Sequence, residues 1–150
     1  MTGEMAASPG VLVGTLPLAP PILVPRDATV QHVAQMMIAN GLSAVLVGGE
    51  DAIVSEHDVV EAMARRVDPD SPARAIASYG PFVVLESCPV LEALRVMLEH
   101  AVRNLVVVRA DGSALGLLSL TEAAAAVLAD ARLPSWLHGL RLALQVEVRE

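Results

Sequence analysis

A chain of 150 residues with 54% hydrophobic and 18% charged content suits one compact domain with a sizeable core, and is too apolar for extended disorder. A net charge of −7, ten arginines with no lysine, and 2% aromatic content argue against a nucleic-acid partner, which needs a positive field and stacking rings, and against an anionic membrane surface. The single cysteine, Cys88, has no internal disulfide partner and fits a reducing, cytoplasmic setting. No Lys or Arg precedes Arg26, so a signal peptide's positive start is missing. Pro17, Pro20 and Pro21 make the uncharged stretch before it a poor membrane helix.

In chain order, Val11–Val13 reads as a short strand and the proline-rich stretch after it as extended. Ile22–Val24 is a second short strand. Thr29 caps a helix over 30–40, whose Val30, Val33, Ala34 and Met37 form one apolar stripe, and Asn40-Gly41 stops it. Ala44–Val47 and Ala52–Val54 form a hairpin around Gly48-Gly49-Glu50-Asp51, and Ser55 opens a helix over 56–66. Asp68–Pro72 is a linker and Ala73–Ser78 a short helix. Then come a strand at Phe82–Leu85, a helix over 89–100 with Pro89 at its first position, strands at Leu105–Val108 and Leu115–Leu118, and a helix from Ser119 to about Leu128. Leu133-Pro134-Ser135 breaks that helix. Leu140, Leu142, Leu144, Val146 and Val148 then alternate with polar or small residues, which predicts a long strand in need of a sheet edge, such as residues 10–16 of this chain or of a partner subunit.

The chain repeats itself. Val24, Val30, Met37 and Val47 recur at an offset of 60 as Val84, Val90, Met97 and Val107, and after a longer hairpin turn Ser55 and Asp58 recur at an offset of 64 as Ser119 and Glu122. Each unit reads β-α-β-β-α and is too small to bury its faces alone. The entry "ILVPRDATVQHVAQMM", the hairpin, the closing pattern of apolar residues, Ser, two residues and an acid, and "EHAVRNLVVV" in the second copy resemble a CBS domain, and the pair resembles a Bateman module. The resemblance implies an α+β fold: two β-α-β-β-α repeats packed as a pseudo-two-fold pair with a cleft between them, plus a C-terminal β-strand extension. The divisions are an N-terminal extension 1–15, a first repeat 16–67, a linker and second repeat 68–130, and an extension 131–150.

The resemblance also implies a ligand. CBS pairs bind AMP, ATP or S-adenosylmethionine in the cleft; the family's Ser contacts ligand and its acid takes the ribose hydroxyls. Ser55 and Asp58, with Ile53 on the strand before them, match those positions. Ser119 and Glu122 match with an acid one methylene longer. A short carboxylate at a helix start suits a diol, because the helix dipole stabilises it. The same spacing is also a capping box, which suits Ser119–Glu122 better than ligand binding and Ser55–Asp58 equally well. Ala52 stands where the family has Gly and narrows a ligand's approach. Arg103 is the best-placed answer to a phosphate, Arg26 and Arg109 less so. Tyr79 is placed to stack on a base. Gly48-Gly49 is no phosphate loop, which disfavours a triphosphate. Glu56-His57-Asp58 clusters metal-ligand types on different helix faces, and although His57 and Glu61 share a face at i, i+4 the stretch reads better as a solvated helix start; His32, His100 and His138 have no ligand-spaced partners. Cys88 before a helix is placed for a lowered thiol pKa, but no His–acid arrangement accompanies it and no catalytic set is evident.

Two functions follow from this reading. One is a regulatory module that senses an adenosyl ligand through Ser55, Asp58 and Arg103, works as a homodimer and signals to an unidentified regulated protein. The other is a structural or dimerisation module whose site has degenerated. Neither is an enzyme, and no metal is expected.

Overall fold

A computed structural model of the chain describes residues 10–48, 52–79 and 82–129. The expected strand over 140–148, His138 and the tip of the first hairpin lie outside them. The first repeat contains β1 (Leu23–Pro25), α1 (Val30–Asn40), β2 (Ala44–Gly48), β3 (Ala52–Ser55) and α2 (Glu56–Ala64). After a short strand β4 (Ser78–Tyr79), the second repeat contains β5 (Val83–Leu85), α3 (Val90–His100), β6 (Asn104–Val108), β7 (Ala114–Ser119) and α4 (Leu120–Leu128). One sheet has the order β1-β2-β3-β4 and the other β5-β6-β7. In each, the first strand runs parallel to the second and the hairpin is antiparallel. The α+β fold of two repeats is thus as the sequence predicts.

Alternation along the strands builds three apolar layers. Val45, Val47, Ala52 and Val54 face α1 with Val33 and Met37. Leu105, Val107 and Leu118 face α3 and α4 with Ala93, Met97, Ala123 and Val127. Ala44, Ile53, Val106 and Leu117, the intervening residues, meet between the two sheets. Each fully buried aliphatic side chain contributes about 1.5–3 kcal/mol. The pairs of Arg95 with Glu92 and Glu99 are exposed and screened by water, so the layers dominate stability.

The segments leading into each repeat are where the structure departs from the sequence reading. Residues 11–13 are not a strand: Val13–Thr15 is a 3-10 turn, with Leu12 bridged to Pro89. Residues 73–78 are not a helix either, but a 3-10 turn at Ala73–Ala75 followed by β4. The two leaders do the same work in opposite directions. Val13 and Gly14 donate to the Cys88 and Glu86 carbonyls, and Ala73 and Arg74 donate to the Ala28 and Arg26 carbonyls. Val90 donates to the Val11 carbonyl, as Val30 does to that of Ser71. β4 pairs with β3 of the first repeat, while Ala19 exchanges both main-chain bonds with Leu117 of the second. Each leader therefore closes the other repeat's sheet. The main-chain N–H groups of Val13, Gly14, Ala19, Ala73 and Arg74 find their partners only across the pair, a preference that local propensity does not encode. It also engages the residues 10–16 edge that the C-terminal strand was expected to use.

The helix ends follow the predicted chemistry with two differences. Thr29 caps α1 by accepting from the His32 N–H, and Gly41 ends it at φ 61°. Pro89 is the residue before α3 rather than its first turn, with ψ 142°. The end of α3 places Ala101 at φ 54°, where the first repeat has Gly41.

Candidate functional site

A cleft of about 790 Å³ lies between the repeats. Its floor is Ile53, buried in the layer shared with Val106 and Leu117. Its walls come from the starts of α2 and α4, from β4, and from the strand entries at Ser43 and Arg103. The two helix starts are anchored alike: the Glu56 N–H donates to the Ser43 carbonyl at 3.0 Å, and the Leu120 N–H to the Arg103 carbonyl at 2.8 Å. Ser43 and Asn104 join the copies directly through a 2.8 Å hydrogen bond.

Asp58 is the most constrained polar group of the cleft, at 9% exposure. Its Oδ2 accepts from the Ser55 N–H at 2.9 Å and from the Ser55 hydroxyl at 3.0 Å. The Asp58 N–H donates back to Ser55 Oγ at 3.3 Å, completing a capping box. Oδ1 accepts from the Ser78 hydroxyl on β4 at 3.2 Å. At the other helix start, Ser119 Oγ accepts from the Glu122 N–H at 3.1 Å, but the reciprocal bond from the Glu122 carboxylate is not made. Glu122 is exposed and does not line the cleft. The spacing allowed a cap at either turn: the complete capping box is at Ser55–Asp58, and at the other turn Ser119 caps without the return bond from Glu122. The shorter Asp side chain turns back onto its own helix start, while the Glu head extends into water.

Ser55, Asp58, Ile53, Tyr79, Arg103 and Ser119 all line this cleft. Tyr79 is 59% exposed, with its hydroxyl donating to the Arg74 carbonyl at 3.2 Å, so its ring is held and open to stacking. Phe82, which sequence reasoning did not nominate, also lines the cleft and stacks on His100 with centroids 4.7 Å apart. Ser78 was missed too. Its position opposite Ile53 depends on β4 pairing, which nothing local in Ala73–Ser78 reveals. Arg26 and Arg109 are not among the lining residues; Arg109 is committed to Ser113 and the Ala114 carbonyl at the far end of the second hairpin. Ala52 does not narrow the cleft, because its methyl points into the helix-side core.

The cleft's charged lining is acidic at Glu56 and Asp58 and basic at Arg103, with His57 beside them. Glu61 pairs with Arg65 at 2.7 Å, and among the described residues no cluster of metal-ligating side chains forms. Nor, among them, is any helix long and apolar enough to cross a membrane. The Cys88 thiol is pushed up, not down: burial disfavours the thiolate, the nearby Glu92 carboxylate adds to this, and the thiol donates to the Pro89 carbonyl.

Comparison with known proteins agrees with this architecture. The CBS domain family matches twice, at residues 13–65 and 73–129. A CBS domain protein from Pyrobaculum aerophilum, solved in complex with AMP, is 33% identical with a TM-score of 0.67, over 75% of this chain and 89% of that one. An uncharacterized 17.7 kDa protein of Acidianus ambivalens is 29% identical over 110 residues, and the meiotically up-regulated gene 70 protein of Schizosaccharomyces pombe is 35% identical over 113. Each alignment covers 71% of this chain, but it spans only 66% and 15% of those two relatives. With two family matches that begin at the two 3-10 leader turns, and a fold shared with solved CBS proteins, this chain belongs to the CBS domain family and carries two copies as a pair.

Proposed function

We propose that this chain is a ligand-sensing regulatory module that binds an adenosyl nucleotide, AMP-like or S-adenosylmethionine-like, in the cleft between its repeats. The observation that carries this reading is that one cleft gathers Ser55, Asp58, Tyr79 and Arg103 from both repeats. They supply a carboxylate for ribose hydroxyls, a ring for a base and one guanidinium for a phosphate. The AMP complex of the Pyrobaculum aerophilum relative supports the same ligand class. A single lining arginine against two carboxylates disfavours ATP. Binding would bias two states of the pair by differential affinity and pass the change to a regulated partner; no catalytic step is involved. Self-association in the cytoplasm fits the exposed apolar side chains on the helices, Ile38, Val60 and Met63 in the first repeat and Leu91 and Leu98 in the second.

Titration calorimetry with AMP, ATP and S-adenosylmethionine tests the reading. AMP or S-adenosylmethionine is expected to bind more tightly than ATP, and Asp58→Asn to weaken binding at least about tenfold through loss of a charged acceptor. No heat at millimolar ligand would sink it. The second reading, a structural dimerisation module with a degenerate site, is favoured by one observation: Ser55 and Ser78 already engage both Asp58 oxygens. It predicts that Met63→Glu changes the mass in solution while no adenosyl ligand binds.

A further inference from the structure

The bond between Ser78 and Asp58 has no counterpart in the second repeat. Sheet register sets Ser78 opposite Ile53 and Ala19 opposite Leu117, and Ile53 and Leu117 are the equivalent strand residues. Where the first copy has a hydroxyl on a carboxylate, the second therefore has the methyl of Ala19, and Glu122 points away. A carboxylate offers about four acceptor positions. Asp58 commits two on Oδ2 to Ser55 and one on Oδ1 to Ser78. One acceptor position on Oδ1 remains for an incoming hydroxyl, while the Ser55 bonds belong to the helix cap.

We propose that Ser78 determines the sugar specificity of the cleft, a step that rests on the adenosyl-binding reading above. While Ser78 holds Oδ1, Asp58 receives one hydroxyl of a ribose and not both. Either the 2′- or the 3′-hydroxyl satisfies it, so the chain discriminates weakly between ribosyl and deoxyribosyl ligands. Removing the Ser78 hydroxyl frees a second acceptor position and turns Asp58 into a receptor for the whole diol.

The test is the affinity of AMP, 2′-deoxy-AMP and 3′-deoxy-AMP for the full chain, for Ser78→Ala and for Ser78→Thr. Both substitutions keep the main-chain pairing of β4. In the original chain each deletion of a hydroxyl is expected to change affinity by no more than about threefold, less than a full hydrogen bond to a charged group. In Ser78→Ala, AMP tightens and each deletion weakens binding by about tenfold or more, the effect of one hydrogen bond to a carboxylate. Ser78→Thr retains the original ratios. Equal ratios in the original chain and Ser78→Ala, in proteins that bind AMP, overturn this inference and leave the adenosyl reading standing. Failure of all three chains to bind AMP overturns both.

Discussion

The two helix starts that face the cleft share a strand, a serine and an acid three residues on, yet they have become different objects. At Ser55–Asp58 the acid is buried, closes a capping box and reaches across to β4. At Ser119–Glu122 the serine caps alone, and the acid is solvated outside the cleft. A single methylene and the exchange of Ser78 for Ala19 separate them. The lesson is that a duplicated turn keeps its backbone role under weak requirements, because any serine caps a helix. Its ligand role needs a carboxylate of the right reach and a neighbour of the right polarity.

The largest expected effect tests how far the copies differ around these turns. Gly116 stands where the first repeat has Ala52, and a Cβ there would lie 2.7 Å from Leu18 Cβ and 2.8 Å from the Ala19 carbonyl oxygen. Gly116→Ala should destabilise by about 3 kcal/mol through overpacking against main chain. Trimming Leu18→Ala in the same chain should recover part of this, because Leu18 replaces the smaller Ala77 that precedes β4. Chemical denaturation of the single and double variants measures both.

Next comes the comparison of the acids. Asp58→Ala should destabilise by about 2 kcal/mol, since it removes the return bond of the cap and strands the Ser55 N–H. Glu122→Ala should stay within about 0.5 kcal/mol, as an exposed surface change. Equal losses in the two variants would erase the distinction between the turns.

A smaller effect compares the helix ends. Ala101 adopts the left-handed conformation that Gly41 adopts in the first repeat. Ala101→Gly should therefore stabilise by up to about 1 kcal/mol, and Gly41→Ala should destabilise by a similar amount. Thermal melts at constant pH separate the two signs.

The smallest concerns Cys88, which the first repeat replaces with Ala28. Its folded thiol pKa is raised by burial and by Glu92. The stability it contributes is complete below the ordinary thiol range and is lost as pH rises from there through the raised folded pKa. Alkylation by iodoacetamide should be slower in the folded chain than in urea. The melting temperature of Cys88→Ser should fall less than that of the original chain between neutral and alkaline pH.

Much of the fold was legible because its signals are local. Val30, Val33 and Met37, and their echoes Val90 and Met97, mark helix faces by spacing alone, and the unbroken apolar run from Ala44 to Val47 marks a strand with two buried faces. The helix caps Thr29, Ser55 and Ser119 were legible for the same reason, since a cap is a contact between residues two or three apart. The leader segments were not. Val11–Val13 and Ala73–Ser78 have apolar patterns compatible with a strand or a helix, and their hydrogen-bond partners lie in the other repeat. Tyr79 and Arg103 could be nominated as site residues from their places in the chain and the family resemblance; Ser78 and Phe82 could not, because their places depend on a two-residue strand pairing and on a ring contact with His100.

By itself, then, the sequence determined that there are two β-α-β-β-α units, where their helices start, and which acids stand in the first turn of each unit's last helix. Those properties depend on neighbours within a helical turn or a hairpin. Only the tertiary structure decided that the leaders cross to close one another's sheets, that Asp58 turns inward while Glu122 turns out, and that Ser78 reaches the carboxylate. The crossing of the leaders and the Ser78 contact depend on main-chain groups finding partners across the pair, the turn of the two acids on side-chain length, and one residue of sheet register separates a hydroxyl on Asp58 from none.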